Sequence, residues 1–562
     1  MKVADVVADI MVREGAKWLF GLAGSTIVRL LSYSSAANIE FVMGLNENVS
    51  VGMADGYSRY TGSPAFIALH TAPGLSTALP NLYNAYVDGS PLVIYLGDVD
   101  SRHELNEPGL WLEDMLGVVT HYTKWCWKAV NPSDVPTAFR RAIKVSTSPN
   151  DPGPTCVIVP ENIEDAEISY EPSDPTSYRI NKYLKPNQDF IALCVSQLIN
   201  AQRPVVIAGR QVAQYDAVHL LVELCEELCL PVASESPFPF THSVNFPHDH
   251  ELYVGLFDPE HPFIKTADVV LAIGCRVFTE RTFGNTSHLP KHSRLIHIHT
   301  SPWEIARVYP VSVGIVADPK SALETLLNEI RSIGRSQELS KSARLLTVKR
   351  YKEFVESVKN TIRRKEGTGN VRTWKLVEEM DRILPKDTVI VDEGVVSSTY
   401  LSAFYTFSKT NTLLGRSPGC LGWGVAASLG VKLAAKDRPV VCFTGDGAFM
   451  FTPQSLWTAT KYHLPVIIII CNNRSYISVK MSFDTLSKDF GKYVGTDLDP
   501  PIDYAKLGES MGASTIIVEK EYEIAPALKS ALESDKPVLV DVRTEPMDRG
   551  FKLDFKNINL NG

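Results

Sequence analysis

The stretch TGDGAFMFTPQSLWTATKYHLPVIIIICNNRSY, Thr444 to Tyr476, pairs residue types that can hold a charged cofactor. Gly445-Asp446-Gly447 sets one carboxylate between two glycines, and Asn472-Asn473 follows after 24 intervening residues. Glycine lets a backbone come close to a ligand. A carboxylate and an amide oxygen are hard donors for a hard cation. RPVVCFT reads as a strand, GDG as the turn at its carboxyl end, and PQSLWTATKYH as the helix that follows. In open α/β sheets ligands bind at such strand ends, where helix N-termini favour phosphate. The next strand, LPVIIIIC, delivers the two asparagines. If the strands are neighbours, Asp446 and Asn473 meet at one sheet edge. With a main-chain carbonyl they supply half an octahedron, which two phosphate oxygens and a water would complete around Mg2+. Either motif alone reads as a turn or a loop; the two at successive strand ends read as a metal–phosphate site.

A second set lies in the first hundred residues. GLNENVSVGMADGYSRYTG puts Glu47 on a helix rich in small residues, whose VGMADGY stretch lets another backbone pack closely. PAFIALHTAPGLSTAL sets His70 at the carboxyl end of a strand, and FGLAGSTIVRLL contains Ser25. On their own, an acid at a helix start is commonly a cap or a solvated residue, and a histidine at a strand end is commonly structural.

The elements that must position these residues are legible along the chain. SPAFIALHT, PLVIYLGD and TCVIVP read as buried parallel strands; RPVVIAG and ADVVLAIG repeat the pattern in the middle, and DTVIVDEG, RPVVCFTGDG, LPVIIIICNN and KPVLVDV at the end. The expected fold is α/β, with three doubly wound parallel-sheet domains. Polar or Pro-rich stretches at Ser169 to Asp189 and Ile362 to Thr373 read as linkers. The domains are expected at 1–168, 186–345 and 368–545, with a tail from 546 to 562 that is either disordered or folded over a site.

Composition narrows the partners. At 562 residues with 44% apolar content the chain has ample core for several domains. A formal charge of −8 argues against nucleic acid or an anionic membrane as the main partner. No segment approaches a membrane span, and the N-terminus, with Asp5, Asp9 and Glu14 on an amphipathic pattern, is not a signal peptide. The nine cysteines are scattered without a C-x-x-C pair, which suits a reducing, cytoplasmic setting; Cys225 and Cys229, one helical turn apart, read as packing. His242, His248 and His250 in FTHSVNFPHDHELY read as a polar loop rather than a metal site.

GDG followed at this interval by NN resembles the signature of thiamine diphosphate enzymes of the acetolactate synthase, pyruvate decarboxylase and benzoylformate decarboxylase group, and the likeness covers nearly the whole chain. It implies pyrimidine-binding, central and diphosphate-binding domains in that order. It implies Asp446, Asn473 and the main-chain carbonyl of Ser475 as Mg2+ ligands, with Gly445, Gly447, Ala448 and Tyr476 also at the cofactor. Glu47, followed by Ala54-Asp55-Gly56-Tyr57 and Arg59, is similar to the family's cofactor-activating glutamate; hydrogen-bonded to the pyrimidine ring, it promotes the tautomer that takes the thiazolium proton. In SPGCLGWGVAASLG, Leu421 fits the apolar prop that bends the cofactor, and the Gly419 carbonyl fits the acceptor for its amino group. Because the family splits each site between domains of two subunits, a homodimer or homotetramer is implied.

The active-site motifs are nearest to benzoylformate decarboxylase. Ser25 and His70 match that enzyme's substrate-carboxylate serine and catalytic histidine, whereas acetolactate synthases usually have glycine at the first position and no histidine at the second. In CRVFTERTFGN, Arg281 is the nearest equivalent of a second catalytic histidine; arginine does not shuttle protons near neutral pH but clamps a carboxylate. Ile477, Ser478 and Lys480, just past NN, are pocket candidates. FAD, often carried by acetolactate synthases, finds no support, since neither GRQVAQYDA nor LAIGCR contains G-x-G-x-x-G. The expected activity is decarboxylation of a 2-oxo acid, with carboligation of the resulting aldehyde as an accompaniment. The alternatives are an acetolactate synthase-like carboligase or 2-hydroxyacyl-CoA lyase, and a non-catalytic cofactor-binding protein, which would have no need of Glu47.

Overall fold

The computed structural model describes residues 1–235, 243–277, 288–333, 338–415, 419–487 and 492–558. Arg281 and His242 lie outside the described residues. Three six-stranded parallel sheets follow one another along the chain. The first contains β1 (Trp18–Gly21), β2 (Glu40–Met43), β3 (Ala65–His70), β4 (Leu92–Asp98), β5 (Trp125–Lys128) and β6 (Thr155–Pro160), in the order β2-β1-β3-β4-β6-β5. The second contains β7 (Pro204–Ala208), β8 (Val232–Ser234), β9 (Tyr253–Leu256), β10 (Val269–Ile273), β11 (Arg294–His299) and β12 (Val313–Val316), in the order β12-β11-β10-β7-β8-β9. The third contains β13 (Val389–Glu393), β14 (Leu413–Gly415), β15 (Val440–Gly445), β16 (Val466–Asn472), β17 (Ser514–Val518) and β18 (Val538–Arg543). Its order, β14-β13-β15-β16-β18-β17, repeats that of the first sheet, so the two outer domains share one topology.

The strands run continuously apolar because helices cover both faces of each sheet. β3, β4, β6, β15 and β16 are buried almost throughout. Parallel winding puts every strand's carboxyl end on one edge of its sheet, and the residues singled out for chemistry fall on those edges.

The outer domains are joined by two helices. Glu47–Thr61 lies along Trp423–Ala435, and both are rich in small residues. A Cβ on Gly56 would overlap the main chain of Ala427, and one on Gly430 the carbonyl of Met53, so the backbones approach to a distance that only glycine allows. Trp423 donates its indole N–H to the buried Asp55, and Arg59 stacks 4.9 Å over the Trp423 ring. Asp88 binds Arg59 of its own domain and Arg210 of the central one, each at 3.3 Å, tying the first domain to the central one.

The central unit runs on past 345. The helix Glu338–Arg363 carries Val348 and Tyr351 into the central core. His248 stacks on Tyr253 at 4.4 Å and His250 meets Glu226 at 3.2 Å. Burial pushes His248 down to about 4. Cys225 and Cys229 are buried, as are most of the nine free cysteines. Among the described residues no helix is long and apolar enough to cross a membrane.

Candidate active site

β15 and β16 are neighbours, in register Gly445 opposite Cys471, and their ends bring the two motifs together. Asp446 Oδ1 accepts from the Gly447 N–H at 2.8 Å, and Oδ2 accepts from the Arg474 N–H at 2.6 Å. Asn473 Oδ1 accepts from the Ser475 N–H at 2.9 Å, folding the loop into a tight turn. A one-turn helix, Asp446–Phe449, starts within GDG itself, and the helix expected after it begins at Ser455.

Asp446 is 2% exposed, and burial pushes its carboxyl up to about 6 despite the main-chain donors. A positive charge beside the carboxylate would offset that burial. The donors fit a hard cation: a carboxylate and an amide oxygen sit on two adjoining loops, with open space over Gly445 for an anion's oxygens. Among the described residues no cluster of three His, Cys, Asp or Glu offers a competing metal site.

These loops form one wall of a cleft of about 490 Å3. Gly419, Leu421, Gly445, Gly447, Ala448, Ser475, Tyr476, Ile477 and Ser478 line it with Asp446 and Asn473. Lys480 is turned away, buried against Asp497 at 2.6 Å. A larger open groove, about 780 Å3, runs along residues 363–372 and 520–522; it contains neither motif, and its Arg363 and Arg372 are committed to Glu378 and Glu521.

Several lining residues were not named from the sequence, among them Tyr83 of the first domain and the residues of two further segments. The loop after β13 contributes Gly394, Val395, Val396 and Ser397. Val395 has φ +54, a strained setting for a β-branched residue. The glycine that closes DTVIVDEG and the paired serines after two intervening residues are a readable signal of a strand-end loop. The tail is the other part: Asp548 lines the cleft, accepting from Thr373 at 2.8 Å and from the Tyr400 hydroxyl at 2.7 Å. Farther along, Phe551 packs edge-on against Phe404, and Phe555 reaches His261 of the central domain. Of the two courses expected for the tail, disordered or folded over a site, its described residues take the second.

The first domain holds a second cluster. Glu47 opens its helix behind the N-cap Asn46, is 9% exposed, and accepts from the Thr77 hydroxyl at 2.5 Å. His70 ends β3, and Ser25 is exposed in the turn Ser25–Ile27 that follows β1. This cluster does not line the cleft of its own chain. Thr77, which holds Glu47, and Asn84, which pairs with both N–H and C=O of Cys420, lie on one helix and are separated by about 10 Å along its axis.

The structure therefore defines a three-domain α/β protein with a phosphate- and cation-ready cleft on its third sheet and a buried, hydroxyl-bound glutamate on its first. Comparison with known families places it more closely. The N-terminal TPP binding domain of thiamine pyrophosphate enzymes matches residues 1–122, their central domain residues 191–326 and their C-terminal TPP binding domain residues 394–542. The chain belongs to the thiamine pyrophosphate enzyme family. The acetolactate synthase large subunit of Haemophilus influenzae is 25% identical over 99% of this chain and 97% of its own length. Benzoylformate decarboxylase of Pseudomonas aeruginosa is 27% identical over 96% and 98%. The solved structure of the thiamine diphosphate-dependent 4-hydroxybenzoylformate decarboxylase of Rhodococcus jostii RHA1 matches with a TM-score of 0.85 and 27% identity, covering 97% of this chain and 99% of that one.

Proposed function

We propose that this chain is a thiamine diphosphate- and Mg2+-dependent decarboxylase of 2-oxo acids that works as a dimer or tetramer. Asp446, Asn473 and the Ser475 carbonyl hold the cation, and the loops at 394–397 and 445–448 hold the diphosphate. The bound cofactor supplies the carbon nucleophile and the electron sink for loss of carbon dioxide. Glu47, oriented by Thr77, keeps a proton at the pyrimidine ring and so sets its tautomer. Because Glu47 and the cleft are separate within one chain, a second copy completes each site. Ser25 receives the substrate carboxylate, and His70 moves protons at the carbon that has lost carbon dioxide. Arg281 is a candidate clamp for a second carboxylate.

The observation that carries decarboxylation is His70, a half-buried histidine at a strand's carboxyl end with Ser25 on the neighbouring turn. Protonation of carbon and release of aldehyde both need a positioned acid–base group that titrates near neutral pH. Benzoylformate decarboxylases among the relatives support the same reading. Acetolactate synthase relatives of nearly equal identity support the rival, a carboligase that joins two carbonyl compounds and does without that protonation. The test is product analysis over a panel of 2-oxo acids, alkyl and aryl, with wild type and His70→Ala. Aldehyde from the wild type, slowed in His70→Ala by about 100-fold or more, is expected. Acetohydroxy acids or 2-hydroxy ketones alone from every substrate would establish the carboligase instead.

A further inference from the structure

His70 is gripped from behind by a residue with no role so far. Thr26 is 1% exposed, and its hydroxyl lies 2.9 Å from His70 Nδ1. The Thr26 N–H also points at Nδ1, at 3.5 Å. Among the described residues Nε2 has no hydrogen-bond partner. The surroundings are shaped for this contact. A Cβ on Gly24 would overlap the imidazole, and one on Gly97 would overlap the Thr26 hydroxyl. Gly97 is the register partner of His70 across β3 and β4. Thr71, next in the chain, has φ +53, a strained conformation that turns the backbone sharply from strand into helix and presents the ring.

We propose that Thr26 is the positioning residue for His70: its hydroxyl accepts the proton on Nδ1 and so reserves Nε2 for proton exchange with the substrate. The proposal rests on the reading of His70 as the proton carrier. An imidazole that gives and takes protons at one nitrogen must keep a proton on the other. That proton needs an acceptor. The Thr26 N–H, donating to Nδ1 at 3.5 Å, suits the lone pair of a neutral ring; the hydroxyl at 2.9 Å can accept as well as donate, and is the group that can take the Nδ1 proton of the charged ring. Nε2–H then passes its proton to the carbon that lost carbon dioxide, leaving a neutral ring with Nδ1–H on Thr26. When aldehyde leaves, Nε2 takes the hydroxyl proton released at the same carbon and the imidazolium is restored; the one proton that the net reaction consumes, 2-oxo acid anion to aldehyde and carbon dioxide, comes from solvent when the carbonyl oxygen becomes that hydroxyl. The charged groups on the elements packed around the ring are Asp98 at the end of β4, held by Lys128 at 3.0 Å with Glu104 beyond, and Glu47 against Gly74 and Thr77 on the helix that His70 precedes. Ser25 and Ile27, which flank Thr26, are uncharged.

The experiment titrates the ring directly. In the full-length chain labelled at histidine Cε1, the His70 signal is assigned by its loss in His70→Gln, and its midpoint and tautomer are followed by NMR beside the pH dependence of aldehyde release. Thr26→Val takes the acceptor from the imidazolium, so the midpoint falls. The neutral ring shifts toward Nε2–H, and kcat drops about tenfold with thiamine diphosphate binding retained. Thr26→Ser restores all three. Thr26→Ala reports the same shift should the valine methyl press on Gly97. An unmoved midpoint and tautomer in Thr26→Val and Thr26→Ala, or a serine variant as impaired as valine, overturns the proposal. Wild-type aldehyde release by His70→Ala would instead sink the role of His70, while the titration would still report whether Thr26 holds the ring.

Discussion

Asp446 pays for its place in the cleft. Its ordinary carboxylate value is near 4, and burial raises it to about 6 in the folded chain. Between those values the folded chain holds a proton that the unfolded chain has lost. Without a cation, stability therefore falls as pH rises through that window and stays lowered at neutral pH. A divalent cation must displace the proton. Mg2+ affinity in the presence of thiamine diphosphate is expected to weaken by about tenfold per pH unit below 6. Calorimetric titration at pH 5 and pH 7.5 checks this, and Asp446→Asn should abolish most of both the pH dependence and the affinity. Equal affinity at both pH values would remove Asp446 from the ligand set. At this scale the sequence was most readable where two motifs constrained each other: Asp446 and Asn473 needed only the adjacency of β15 and β16, which the register supplies. Thr26 and Asn84 were not readable, because neither has a distinctive spacing and each acts through one contact made in three dimensions.

The crossing of Glu47–Thr61 and Trp423–Ala435 sets the geometry between the outer domains. Gly430→Ala would drive a methyl into the Met53 carbonyl. The helices would have to part, at a cost of about 2 kcal/mol, and the loop carrying Gly419 and Leu421, which precedes the second helix, would move with it. The expected result is a lower calorimetric midpoint together with weakened cofactor binding; an unchanged midpoint would mean that the crossing has slack. The small-residue run VGMADGY had implied such a close approach, though not its partner. Long apolar strands such as β4 and β16 were legible because burial on both faces leaves no polar alternation. Strands of three or four residues, such as β2, β8 and β14, carry too few positions to set a period. The loop after β13 bore a strand-end signal but was not named as part of the site, and the tail was left open between disorder and folding over a site, because their places in the cleft depend on where strands end and where Phe551 and Phe555 anchor.

At the scale of the whole molecule, the separation of Glu47 from the cleft has a consequence that no single-chain site shares. If each site takes its glutamate from one copy and its cation loop from another, two different inactivating variants can complement each other. Glu47→Gln should bind thiamine diphosphate and turn over poorly, since the ring tautomer loses its partner. Asp446→Ala should lose the cation and with it the cofactor, which direct binding measurements can verify. When the two variant chains are unfolded together and reassembled in equal amounts, half of the dimers are mixed. In each mixed dimer one site combines both lesions, and the other combines the intact glutamate of the Asp446→Ala chain with the intact cleft of the Glu47→Gln chain. Activity should return to roughly a quarter of the wild-type value, as random pairing of two chains in a twofold dimer requires. Each variant reassembled alone should stay inactive. A mixture no more active than its components, with mixed dimers demonstrated by mass spectrometry, would mean that Glu47 serves the cleft of its own chain through a domain movement, and the two-chain site would have to be given up.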